Sequence, residues 1–161
     1  MIAAVLLAAV SLYGDVDVGV GIGWFGSHYD GGRSWGIPVS LGIGLQGNHW
    51  RAGLEGRYQR RLYIDKELSR EPASHLVDGR LCASFGGDSH QLEHRIVLGL
   101  GAAYDSKLDG AGFVVDGSYV LTYVPLGLFV QSGIWGGGVF GYRQYVVVAQ
   151  LYAQVGWHFL P

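Results

Sequence analysis

Residues 16–24 alternate strictly in character. Val16, Val18, Val20, Ile22 and Trp24 are large and apolar, while Asp17, Gly19, Gly21 and Gly23 between them are aspartate or glycine. Strand side chains point alternately to two faces, so this segment predicts a strand, placed at 15–24, with one greasy face and one nearly bare face. The same period returns seven times, predicting strands over 35–46, 49–63, 75–86, 90–104, 113–123, 126–135 and 145–159. Segment 126–135 is the least regular, because Phe129 falls on the face that is otherwise small or polar and Ser132 on the apolar one. Strands of this length, apolar on one side and ended by aromatics, suit a barrel wall with lipid outside and a packed polar interior.

The connections support a membrane barrel independently. Those after strands one, three, five and seven (25–34, 64–74, 105–112 and 136–144) are long, and 64–74 is the most charged stretch of the chain. Those after strands two, four and six are short, as at Gln46-Gly47-Asn48, Gly86-Gly87-Asp88-Ser89 and Val124-Pro125. In an up-and-down meander, alternate connections lie at opposite ends. One end therefore carries three short turns and both termini, the asymmetry of outer-membrane barrels.

Composition narrows the alternatives. Charged residues make up 15% of the 161, against a usual share of about 25%. That is too few to clothe a soluble β-domain, although a soluble barrel with its large residues facing a ligand inside is the competing architecture. Beyond the N-terminus, no stretch holds the roughly 18 consecutive apolar residues of a spanning helix. A formal net charge of −2 gives no basic footprint for nucleic acid, and the single Cys82 excludes an intrachain disulfide. The apolar run 1–11 reads as a candidate signal peptide with Ala9-Val10-Ser11 at the cleavage site, although no basic residue precedes it; an extension of strand one is the other reading. Residues 12–161 then form a single barrel domain.

The meander count, the loop asymmetry and the last strand together resemble the small eight-stranded bacterial outer-membrane barrels, the OmpA/OmpX/Opa-like group, over residues 15–159. The segment Val155-Gly156-Trp157-His158-Phe159 is similar to the C-terminal signal of that group, here followed by Leu160 and Pro161. The resemblance implies an all-β, antiparallel, up-and-down transmembrane barrel in a bacterial outer membrane. It also implies recognition of the last strand by the barrel-insertion machinery.

Nine charges fall on the inner face of five strands: Asp17, Arg51, Glu55, Arg57, Asp78, Arg80, Glu93, Arg95 and Asp116. They nearly balance in sign, and an eight-stranded barrel is just wide enough for side chains to fill it. They read as an ionic plug that fixes register, or as a narrow polar path for ions. Aromatics gather at strand ends. Trp24, Trp35, Tyr58, Tyr104 and Phe113 lie toward the long loops, and Trp50, Phe85, Tyr123, Trp157 and Phe159 toward the short turns. Two interfacial girdles account for both sets, and a carbohydrate-stacking platform is the alternative for the first.

No histidine spacing points to a metal, and no cofactor is expected. His75, beside Ser74 and three residues before Asp78, invites comparison with the lipid A deacylases among such barrels, whose Ser/His/Glu set lies at this level; their His-x-Ser pattern is absent here. Cys82 reads as inert packing. The expected activity is surface contact or adhesion through four long loops on a lipid-embedded barrel, with a narrow channel or a lipid A-modifying enzyme as the alternatives.

Overall fold

The computed structural model describes residues 10–26, 31–64, 73–89, 91–107, 109–140 and 145–160. Eight antiparallel strands close into one barrel: β1 (Ser11–Gly26), β2 (Gly31–Gln46), β3 (Trp50–Tyr63), β4 (Ala73–Ser89), β5 (Leu92–Asp105), β6 (Gly110–Tyr123), β7 (Leu128–Phe140) and β8 (Tyr145–Leu160). Each strand pairs with its sequence neighbours. Closure comes from β1 against β8, in register at Val18 opposite Val155 and Ile22 opposite Leu151, with one irregularity at Gly14/Asp15.

The two-residue period decides which face meets what. Val18, Val20, Leu41, Ile43, Leu98 and Leu151 all point outward and are 47–60% exposed. Asp17, Ser40, Arg57, Arg80, Gln131 and Gln154 point inward and are buried. A soluble barrel with a greasy lumen is thereby ruled out, because the large apolar residues clothe the outside.

Strand lengths depart from the sequence reading. The segments 25–34, 105–112 and 136–144, expected as long loops, are strand at 25–26 and 31–34, at 105 and 110–112, and at 136–140. Phe25 pairs with Gly32, Asp105 with Gly110, and Gly136, Gly137 and Gly138 with Ala149, Val148 and Val147. The strand ends leave 27–30, 106–109 and 141–144 between them, and 64–72 is the longest interval between consecutive strands. Gly, Ser and Asp disfavour isolated strands, but a ladder on both sides supplies the hydrogen bonds that override this. Likewise Gly86–Ser89, expected as a turn, pairs with Leu92–Arg95. β7 begins at Leu128 because Val124–Leu126 form a 3₁₀ turn, closed by Gly127 at φ +63°, whose N–H donates to Val124 O at 3.1 Å. Residues 1–9 of the candidate signal segment, and residues 27–30, 65–72 and 141–144 within the expected loops, lie outside the described residues.

The barrel's fixed width makes glycine a spacer. Phe129 points inward, as its position requires, and stands opposite Gly156. A Cβ on Gly156 would lie 2.2 Å from Phe129 Cζ and 2.6 Å from Val16 O. Tyr13 similarly lies across Gly44 and Gly53. By contrast Gly79 faces outward, and a Cβ there would meet nothing within 4 Å. Gly156→Val should therefore destabilise the folded barrel by about 1–3 kcal/mol through overpacking, and Gly79→Val should change it little. Thermal midpoints of heat-modifiability on gels check this; equal effects at the two sites would refute the spacer role.

Candidate functional site

The lumen holds the densest chemistry, and it is built in tiers. At mid-height Arg80 is the central cation. Its Nε lies 2.9 Å from Asp78 Oδ1, and its two terminal nitrogens bond Asp116 and Glu55. Arg57 Nη2 reaches Asp116 Oδ2 at 3.3 Å and Glu55 Oε1 at 3.7 Å, and its guanidinium sits 4.5 Å over the Tyr152 ring. Tyr152 Oη donates to Asp116 Oδ1 at 2.8 Å. Asp116 on β6 is thus held by two arginines and a tyrosine from three other strands. Asp17 accepts from Gln154, whose Nε2 also donates to Ser40 at 3.1 Å.

Toward the short turns a second cluster forms. Arg51 Nη2 pairs with Glu93 at 3.0 Å, and Arg95 pairs with the other oxygen of the same carboxylate. Arg51 Nη1 lies 3.1 Å from His158 Nε2, and the His158 ring stacks on Phe129 at 4.6 Å. A vestibule of about 550 Å³ opens over these groups at the turn end, lined in part by Arg51, Glu93, Arg95, Thr122 and His158. Deeper in, a cavity of about 50 Å³ lies among Tyr13, Asp15, Asp17, Glu55, Cys82 and Gln131.

Toward the loops the filling changes character. Leu76, Ala103, Val114, Trp135, Val146 and Val148 form an apolar cluster resting on Tyr152, with Phe25 packed against it. Trp135 and Val114 are wholly buried. Beside this layer Arg61 on β3 pairs with Asp105 on β5. The lumen is therefore polar in its lower and middle sections and mixed above, where the apolar cluster stands among buried Gln59, Ser74, Gln150 and the Arg61–Asp105 pair; the sequence reading expected a polar interior throughout.

All nine charges singled out from the sequence lie on the inner face, and eight of them are in ion pairs with one another. Sequence reading missed Arg61, although it lies on the inner parity of the predicted strand 49–63, and Asp105, which was assigned to a loop. It also missed the apolar tier. Val146, Val147 and Val148 are consecutive valines facing alternately in, out and in, and such a run shows no period. The aromatics of both rims lie on the outer surface, each 37–64% exposed. On the turn side Trp50 stands directly opposite Phe85, and Leu128 links Tyr123 to Trp157 across β7.

Ser74, His75 and Asp78 do not come together. His75 is outside, with Tyr58 Oη 2.7 Å from its Nδ1, while Ser74 and Asp78 are buried inside. Cys82 Sγ donates to Glu55 at 3.6 Å within the lumen. Among the described residues, no group of three or more His, Cys, Asp or Glu side chains could hold a metal.

No sequence-family profile matches this chain, and no curated protein matches it. Solved structures do. Neisserial surface protein A superposes with a TM-score of 0.63 at 13% identity, over 92% of this chain and 97% of the other. The outer membrane enzyme PagL superposes with a TM-score of 0.56, also at 13% identity, over 86% and 97%. By fold, the chain is a small eight-stranded antiparallel β-barrel like those of these two outer-membrane proteins. Its exposed apolar wall is the surface such a barrel turns to lipid.

Burying a network of this size is tolerable only because the charges satisfy one another, and removing one partner leaves others uncompensated. Arg80→Met should lower stability by about 3–5 kcal/mol, since Asp78, Asp116 and Glu55 all lose their shared cation. Adding Asp78→Asn should restore part of the loss, since Asp78 pairs with Arg80 whereas Asp116 and Glu55 keep Arg57. Urea unfolding in lipid vesicles, followed by tryptophan fluorescence, checks both. A neutral Arg80→Met would show that the network is not a stabilising unit.

Proposed function

We propose that the protein resides in a bacterial outer membrane as a rigid anchor whose lumen passes no solute, and that it acts by surface contact or adhesion at its loop-side rim. The observation that carries this reading is the two-tier filling of the lumen. The ion network around Arg80 and Asp116 occupies the middle, and the Trp135 layer occupies the section above it. A permeating ion would have to displace paired charges and then pass side chains packed closely around buried Trp135, and leaving a charge unpaired in such surroundings is costly. The vestibule reached from the turn end is in this reading a blind pocket.

With three connections reduced to a few residues, the contact activity concentrates in 64–72. That segment carries Asp65, Lys66, Glu67, Arg70 and Glu71. Loops held on a rigid scaffold are the usual place for binding. The final strand, with Trp157 and Phe159 outward, is the segment the barrel-insertion machinery would read.

Two measurements test the reading. In planar bilayers the purified barrel should give no steady single-channel current, whereas frequent uniform openings would favour a narrow channel instead. Replacing 65–71 by a tight turn should leave a heat-modifiable barrel but remove binding of the protein-bearing cell surface to host cells or matrix. Binding retained by the shortened protein would move the activity to the wall or lumen.

A further inference from the structure

The vestibule at the turn end, about 550 Å³, stands over cations whose hydrogen-bonding capacity is only partly used. Its floor is formed by Arg51 on β3 and by Glu93 and Arg95 on β5. Each arginine gives its Nη2 to the same carboxylate, that of Glu93. Arg51 Nη1 lies 3.1 Å from His158 Nε2. Among the described residues, Arg51 Nε and both Nε and Nη1 of Arg95 have no hydrogen-bond partner, and the Arg95 side chain is only 4% exposed. Glu93 is, among the same residues, the one acid within ion-pair distance of either arginine. Arg95 also borders the cavity of about 50 Å³ beneath, but the acids there are engaged elsewhere. Glu55 pairs with Arg57 and Arg80, Asp17 accepts from Gln154, and Asp15 lies 3.9 Å from His158.

Buried guanidinium nitrogens without acceptors favour a ligand that brings one, because hydrogen bonds to a charged donor are the strong ones. The neighbouring charges then select among oxyanions. Glu93 lies in the floor, and its registered neighbour Asp88 on β4 stands exposed at the lip. Two acids beside two arginines repel a doubly charged phosphate more than a singly charged carboxylate. Glu93 itself shows that these arginines accept a carboxylate in this setting. Val124, Leu126 and Phe159 border the same vestibule, so an apolar body on the ligand has a surface to meet. Concave sites of this size, a few convergent polar groups beside apolar side chains, suit small organic molecules.

We propose that the turn-end vestibule binds a small organic monocarboxylate, with its carboxylate on Arg95 and Arg51 and its apolar part toward Val124 and Leu126. His158 on β8 and Thr122 on β6, 3.4 Å apart, frame the other side of the floor and offer a further polar contact. The ligand enters from the compartment that faces the short turns, at the end of the barrel opposite 64–72. The inference rests on the reading of this vestibule as a blind pocket. The carboxylate is held there and not passed on, since the Arg80 network closes the lumen above it.

Titration calorimetry of the refolded full chain in lipid nanodiscs tests this, with hexanoate as the probe and empty discs as the reference. The wild type should take up hexanoate saturably, one per barrel. Hexanol, which has the same apolar body and no charge, should show only the partitioning seen with empty discs. Arg95→Met should weaken hexanoate binding by about tenfold or more, as the loss of a charge-assisted hydrogen bond does. Glu93→Gln should tighten it severalfold, because both arginines are released and a like charge is removed; a gain of this kind cannot come from a misfolded vestibule. Excess inorganic phosphate should leave hexanoate bound, and complete displacement would overturn the carboxylate assignment. No saturable uptake by the wild type, equal binding of hexanol, or an affinity unchanged in both variants would overturn the site itself. Planar-bilayer current is read on the same preparation. Uniform openings would fail the blind-pocket reading, whereas a silent barrel that binds no hexanoate fails this inference alone.

Discussion

Closure of the sheet is the constraint from which the rest follows. A strand edge in hydrocarbon would leave a row of backbone N–H and C=O groups without partners, each costing several kcal/mol. Pairing β1 with β8 removes that edge. Once eight strands close, the interior has a fixed and narrow width. Every inward side chain must then fit a volume set by its neighbours on adjacent strands. The many inner-face glycines become intelligible in this light. Phe129 needs Gly156 opposite, Tyr13 needs Gly44 and Gly53, and Asp15 lies against Gly42. A chain with ordinary inward residues at these positions could close only around a strained interior.

The same width accounts for the character of the filling. Polar side chains in a closed cylinder cannot all reach water, so they must reach one another. Asp116 bonds Arg57, Arg80 and Tyr152, groups carried by β3, β4 and β8. Ties of this kind penalise a slip in register on any of those strands, because a one-residue shift would turn the charges outward to lipid. The apolar layer around Trp135 does different work. It packs by shape around Trp135 and lies on the loop side of the ionic section. The division of the lumen into an open turn end, an ionic middle and a closely packed loop side is what supports the proposed sealed anchor.

The alternation of large apolar residues with glycine and polar residues made the outer face legible in the sequence, because lipid demands apolarity at every second position through the span. Val18, Leu41, Leu98 and Leu151 could be assigned from the period alone. The inner charges were legible for the same reason in reverse. What escaped were places where both faces share one character. Val146–Val148 is apolar on both sides, and Gly136–Gly138 has side chains on neither. Strand ends were also drawn short, since Gly- and Asp-rich tips look like turns until a neighbouring ladder is known to pair them. That error left Asp105, the partner of Arg61, in a loop and lengthened the apparent loops. The failure of Ser74, His75 and Asp78 to converge was foreseeable from parity, because residues an odd number apart on one strand face opposite ways.

The most direct test is of closure itself. In a Cys82→Ser background, Val18→Cys on β1 and Val155→Cys on β8 place two thiols at registered positions on the lipid-facing surface. Oxidation of the protein folded in vesicles should join them in nearly every molecule, giving a covalently closed chain of altered gel mobility that is absent when the protein is oxidised in urea. Failure of this pair to form, in a sample where Val130→Cys with Val155→Cys across β7 and β8 does cross-link, would mean that the sheet is open between its first and last strands and would contradict the account at its base.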